Sequence, residues 1–386
     1  MPTARQTRSF TAVVLLAAVF VACSTTGDSD TTERASRSNG TERSADSSFS
    51  ELATDGPYDV GVTTLSLGDR DVEVWYPATD VAPDAPRVSY SILDWMPLYV
   101  QMLISEADRP VVATTAVRDA EPMAASFPLI VFSHGQIAYR AQSTFLTHAL
   151  ASWGFVVAAP DHIERGVQTI LVPADSFGDD VGDLQRTIDL ALAMDSDPAS
   201  LLYDRIDEFA IGALGHSAGG VTAIRLAAVD PRVRSVVAQA AVIPADTTWP
   251  RGTSLMLQAG TDDDIVPLAD IRRSYAAVRR DPGTSMAVFE AAGHLVFSDV
   301  CQLAADKGGL FGLAASYGVT VDEETEKLGT DGCQADELPA VDAWPVIRQL
   351  TIAQFRATLT GAPLPPEMQS SGTLHIDDVT VEFSTH

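Results

Sequence analysis

The chain has 386 residues, 46% of them hydrophobic, and three cysteines, which suits one large core and not a miniature fold held by disulfides. With 25 basic against 52 acidic side chains the net charge is −27, which argues against nucleic acid or an anionic membrane surface as a partner and leaves the reaction open.

Arg5 and Arg8 precede an uncharged apolar run from Phe10 to Ala22, followed by Cys23 and a polar tract. This is the layout of a secretory signal peptide, and the run is too short for an ordinary transmembrane helix. Phe20-Val21-Ala22-Cys23 resembles a bacterial lipobox. The expectation is a signal peptide over residues 1–22 and lipidation of Cys23, giving an exported protein of the bacterial cell envelope that meets a membrane through its lipid anchor only. Ordinary cleavage to a secreted protein, or an uncleaved anchor, is the alternative. Ser24 to about Asp55 is almost without apolar residues and cannot bury enough surface to order itself, so residues 23–55 read as a flexible tether.

A folded domain is expected over 56–386, with its core ending near 361. Val60 to Leu67 and Val72 to Tyr76 alternate apolar and polar residues around Gly68-Asp69-Arg70, the pattern of an antiparallel hairpin. Leu93 to Ile104 is apolar and aromatic and reads as a packed helix, with a cap over a pocket as the other possibility. Pro128 to Phe132 is a continuous apolar run, as in a parallel strand buried on both faces. Helix and strand patterns then alternate: helices at Thr144–Trp153, Leu184–Met194, Val221–Val229, Ile271–Val278 and Trp344–Leu359, and strands at Gly154–Ala159, Phe209–Leu214, Val233–Ala238, Leu255–Ala259 and Ser285–Glu290. Such alternation calls for an α/β fold, a mostly parallel central sheet with helices on both faces. Val379 to Phe383 is weakly strand-like and has no evident role.

Gly215-His216-Ser217-Ala218-Gly219-Gly220 fits G-x-S-x-G and joins an apolar strand to a helix, which is where a nucleophile elbow belongs. A serine hydroxyl needs a base, an acid to orient that base, and donors for an oxyanion. Gly260-Thr261-Asp262-Asp263-Asp264-Ile265-Val266-Pro267 places carboxylates after a strand; Asp263, in a D-x-x-V-P context, is the chosen acid and Asp264 the reserve. His294, in Ala291-Ala292-Gly293-His294-Leu295, follows the next strand and is the only histidine between that loop and Trp344. The oxyanion N–H groups are assigned to Ala218 and to Gln136, which follows Ser133-His134-Gly135 at the end of an earlier strand. His134 reads as scaffold for that loop and His216 as packing or wall. Asp161, His162 and Glu164 are metal-ligating by type, yet no second cluster joins them, so neither metal nor cofactor is expected. Cys301 and Cys333 remain after Cys23, and in an exported domain they are expected to pair and to fix the segment beside His294.

Gly56-Pro57-Tyr58, Val74-Trp75-Tyr76-Pro77, Phe127 to Gly135, Trp153 to Ala159 and Gly215 to Gly220 together resemble the alpha/beta hydrolases related to platelet-activating-factor acetylhydrolase and the Ser-type dienelactone-hydrolase-like set. The resemblance implies an alpha/beta-hydrolase fold and a Ser217-His294-Asp263 triad working through an acyl-enzyme on a small-molecule or lipid-like carboxylic ester. Ser217 stands where dienelactone hydrolases carry cysteine. The spacing from Ser217 through Asp263 to His294 is also similar to cutinases and polyester hydrolases, whose aromatic clamp is a tryptophan. The matching stretch here, Gln239 to Val242, has none, leaving Trp249 as a candidate to reach the site from elsewhere. A cell-surface acyltransferase, a polyester hydrolase and a non-catalytic surface protein on the same scaffold are the competing readings.

Overall fold

The computed structural model describes residues 48–385 apart from 173, 175–177 and 279–282. The expected signal peptide, Cys23 and the expected tether as far as residue 47 lie outside the described residues. The tether does not run to 55: Phe49–Ala53 is a short 3-10 turn whose Phe49 and Leu52 are buried in the core. Two apolar residues on one turn are too few to produce a readable period.

The strands are β1 (Asp59–Ser66), β2 (Asp71–Ala78), β3 (Arg87–Tyr90), β4 (Val112–Arg118), β5 (Phe127–Ser133), β6 (Val156–Pro160), β7 (Ile206–His216), β8 (Val233–Gln239), β9 (Ser254–Gly260), β10 (Thr284–Phe289), β11 (Gly372–Ile376) and β12 (Val379–Thr385). They form one 12-stranded sheet in the order β11-β12-β10-β9-β8-β7-β5-β6-β2-β1-β4-β3. From β6 through β5, β7, β8 and β9 to β10 every neighbour is parallel. The expected β1–β2 hairpin pairs antiparallel, Asp59 opposite Ala78 and Ser66 opposite Asp71. The tail run left without a role is β12, which pairs antiparallel with both β10 and β11 and extends the sheet.

Alternation along the strands feeds two cores. Leu129 and Val131 of β5 pack on one face and Ile130 and Phe132 on the other, as Val72, Val74 and Tyr76 oppose Trp75 in β2. This is why the central strands read as unbroken apolar runs. Helices α2 (Thr144–Ser152) and α8 (Ala340–Phe355) supply one face with Leu146, Leu150, Ile347 and Phe355. The opposite face takes Leu184 and Ile188 from α3 (Asp180–Ser196), Ile224 from α4 (Ala218–Val229) and Ile271 from α5 (Leu268–Val278). Each such side chain contributes roughly 1.5–3 kcal/mol on burial.

The segment expected as a packed helix over 93–104 is different. Pro97 divides it into a 3-10 turn, Ile92–Trp95, and a short helix α1 (Leu98–Leu103) that has no buried residue. Two helices absent from the sequence reading, α6 (Gly309–Ser316) and α7 (Glu323–Leu328), lie inside the loop between Cys301 and Cys333. Asp108, just after α1, accepts hydrogen bonds from Lys307 and, at 2.6 Å, from the Tyr317 hydroxyl, tying the α1 segment to that of α6.

Candidate active site

Ser217 directly follows β7 and is the N-cap of α4, with φ 54° and ψ −122°. A non-glycine residue in that region costs about 1–3 kcal/mol and persists only where its surroundings impose it. Here the glycines impose it. A Cβ on Gly219 would sit 1.9 Å from the Ser133 carbonyl oxygen, and one on Gly215 would sit 2.1 Å from that of Gly219. Only bare backbone lets α4 start this close to the end of β5.

The Asp263 carboxylate is buried after β9. One oxygen accepts the backbone N–H groups of Ile265 (2.9 Å) and Val266 (2.7 Å), and the other lies 2.9 Å from His294 Nδ1. Of the three aspartates in this turn, Asp264 is solvent-exposed with its side chain near Lys327, and Asp262 is exposed beside Thr261. Because a carboxylate faces Nδ1, that nitrogen carries the proton and Nε2 holds the lone pair. Nε2 has no hydrogen-bond partner among the described residues, and the His294 ring lines the same cavity as Ser217.

The backbone of His294 is gripped from both sides. Its N–H donates to Asp331 Oδ1, and its carbonyl lies 3.0 Å from His216 Nε2. Asp331 Oδ2 accepts the Asp264 N–H at 3.1 Å, so a single side chain joins the acid loop to the histidine loop. Burial raises the Asp331 carboxyl above its usual range. The expected disulfide between Cys301 and Cys333 is formed, and Asp331 stands within the loop it closes. The sequence reading missed Asp331, because its partners are distant in the chain and only the disulfide pattern hinted at a link.

At the end of β5, Gly135 and Gln136 line the cavity, with Gln136 exposed. His134 does act as scaffold: its Nδ1 donates to the Gly135 carbonyl (2.8 Å) and its Nε2 accepts the His162 N–H (3.0 Å). Burial pushes the His134 and His162 pKa values well below the usual histidine range. The N–H groups of Gln136 and Ala218 have no protein acceptor among the described residues. His216 is more than wall. Its Nδ1 lies 2.8 Å from the Gln142 amide nitrogen, while the Gln142 oxygen accepts the Gly135 N–H at 2.7 Å.

His162, Asp180 and Asp183 lie close enough to share an ion. Their oxygens are instead engaged by arginines, Asp183 by Arg70 and Arg186 and Asp180 by Arg165. Three guanidinium groups on these carboxylates suit an ion-pair network and do not fit a divalent cation. Glu164 belongs to the same network through Arg70.

A cavity of about 240 Å³ opens over Ser217 and His294. Tyr99 and Leu103 of α1, Phe311 of α6 and Leu328 of α7 roof it, so the stretch from Leu93 to Ile104 borders the pocket as a cap, and among the described residues no lysine, arginine, aspartate or glutamate lines it. Trp249 does not reach it: that ring is buried in the opposite core and its Nε1 donates to the Thr253 carbonyl at 3.1 Å.

Residues 119–307, which hold all these loops except that of Asp331, match the family model described as PET hydrolase-like. The chain is 25% identical over 236 residues to a platelet-activating factor acetylhydrolase from Cavia porcellus, an alignment covering 47% of this chain and 53% of that protein. It thus spans about half the length of that relative. A ferulic acid esterase from Streptomyces cinnamoneus has a similar fold, with TM-score 0.59 and 24% sequence identity over 83% of this chain and 96% of that one.

Proposed function

We propose, from the premise that this chain is a member of the alpha/beta-hydrolase superfamily, that it is an exported serine hydrolase of carboxylic esters with an apolar acyl group. The observation that carries this reading is the buried 2.9 Å contact between Asp263 and His294 Nδ1, with the imidazole and the strained Ser217 on one cavity. Ser217 attacks the ester carbonyl while His294 Nε2 takes its proton. Asp263 holds the tautomer and stabilises the imidazolium. The carbonyl oxygen, now negative, is received by the N–H groups of Gln136 and Ala218. His294 then protonates the leaving alcohol, and water, activated by the same imidazole, releases the acid from the acyl-enzyme. Lipidation at Cys23 would hold the domain at the cell envelope, and cleavage without it would release the same enzyme.

The apolar roof selects the acyl group. With no charged side chain among the described lining residues to meet one, a carboxylate on the acyl chain is disfavoured by its desolvation cost. An acyl-length series of p-nitrophenyl esters tests the proposal. Each methylene that enters the cavity is worth about 0.8 kcal/mol, roughly fourfold in kcat/KM, so activity climbs from acetate until the cavity is filled and then falls. A flat series, or a preference for a succinyl ester, would contradict it.

A further inference from the structure

Gln142 is a buried polar residue that the proposed mechanism leaves unused, 2% exposed, between the oxyanion loop and α2. Its amide joins Gly135 to His216, a residue 74 positions away, and His216 reaches the carbonyl of His294, 78 further on. The direction of this line is fixed at both ends. A backbone N–H only donates, so Gln142 presents oxygen to Gly135 and nitrogen to His216. A backbone carbonyl only accepts, so His216 carries its proton on Nε2 and accepts at Nδ1. Burial, which lowers the His216 pKa to about 3, keeps the ring neutral, and its two partners fix the tautomer. The Gln142 backbone carbonyl in turn accepts the Asp299 N–H at 2.9 Å, a second tie to the segment after His294.

We propose that Gln142 is a positioning residue for ester cleavage: acting through His216, it holds the oxyanion loop and the His294 loop in register on either side of Ser217. This rests on the serine-hydrolase reading above. Gly135 directly precedes the oxyanion donor Gln136, and a Cβ on Gly135 would lie 3.2 Å from His216 Nδ1, so the loop is seated on the imidazole. An apolar side chain at 142 leaves the Gly135 N–H and His216 Nδ1 unpaired and frees the loop to shift. A displacement of about 1 Å at such a site costs on the order of 100-fold in rate.

The test compares Gln142→Met, His216→Asn and the double variant. Active sites are titrated to saturation with a fluorophosphonate, and kcat and KM for p-nitrophenyl butyrate are expressed per titrated site. Gln142→Met is expected to lower kcat per site by about 10- to 100-fold with KM within about twofold. The double variant is expected to lose no more than the weaker of its parents, since both cut one line. A residue that serves folding alone reduces the number of titratable sites and leaves kcat per site intact. That result, or losses that multiply in the double variant, overturns the proposal. If Gln142→Met does not fold, Gln142→Asn, whose shorter stem breaks both contacts, carries the same comparison. A wild-type chain that takes no label overturns the serine-hydrolase reading itself, an outcome distinct from a labelled enzyme indifferent to residue 142.

Discussion

Asp331 holds His294 by its backbone: one carboxylate oxygen accepts the His294 N–H and the other accepts the N–H of Asp264, next to Asp263. A side chain from the loop between the two cysteines thereby fixes the spacing of the loops that carry Asp263 and His294, which follow different strands.

Replacing Asp331 by asparagine leaves one oxygen and puts an amide donor opposite a backbone donor. The unpaired N–H costs about 1–3 kcal/mol in stability. Because it shifts either His294 or Asp263, kcat is expected to fall about tenfold or more with KM little changed. Steady-state kinetics beside thermal melting checks this, and a variant with reduced melting temperature and unchanged kcat would show Asp331 to be structural only.

The disulfide follows the same logic. Cys301 and Cys333 close a loop with a sequence separation of 32, for which the chain-entropy relation gives about 3–4 kcal/mol of stabilisation. Cys301→Ser/Cys333→Ser is expected to lose stability of that order. It should also lose activity at temperatures well below its melting point, because α6, α7 and Asp331 all hang on the closed loop. Full activity in folded, reduced protein contradicts the second half of this prediction.

The pH dependence of stability carries the mark of His216. Its folded pKa, about 3, lies below the ordinary value of 6.5, so the unfolded chain takes up a proton that the folded chain refuses. The stabilisation from neutral His216 is therefore complete above pH 6.5 and is lost as pH falls toward 3, at about 1.4 kcal/mol per pH unit. Other buried groups titrate too, and Asp299, raised to about 7 by burial, works in the opposite direction. The clean quantity is the difference between wild type and His216→Asn. Urea unfolding should show that difference shrinking by about 2 kcal/mol between pH 7.5 and 5. A constant difference would mean that the folded chain accepts the proton at His216.

Much of the architecture was legible because it repeats. The strands from β5 to β10 are buried on both faces and announce themselves as apolar runs, and Ser217, Asp263 and His294 were nominated because each follows such a run; in the structure they stand at the ends of β7, β9 and β10. What escaped has no local period. Helices α1, α6 and α7 have only 6, 8 and 6 residues, too few turns for a readable period. Gln142 joins the nearby Gly135 N–H to the distant His216 ring, and Asp331 joins the N–H groups of His294 and Asp264, links across the chain that no spacing encodes. Trp249 was a candidate for the site on residue type alone, and its burial in the opposite core shows how little type says without placement.

The central claim, that Ser217 is acylated during ester cleavage, is tested most directly by trapping the acyl-enzyme. Purified wild-type and Ser217→Ala proteins are mixed with a p-nitrophenyl ester, quenched in acid and mapped by peptide mass. One acyl group is expected on the peptide containing Ser217 in the wild type. None is expected in Ser217→Ala, whose turnover should fall by about a million-fold. An adduct on another residue, or a Ser217→Ala enzyme that turns over at the wild-type rate, contradicts the account.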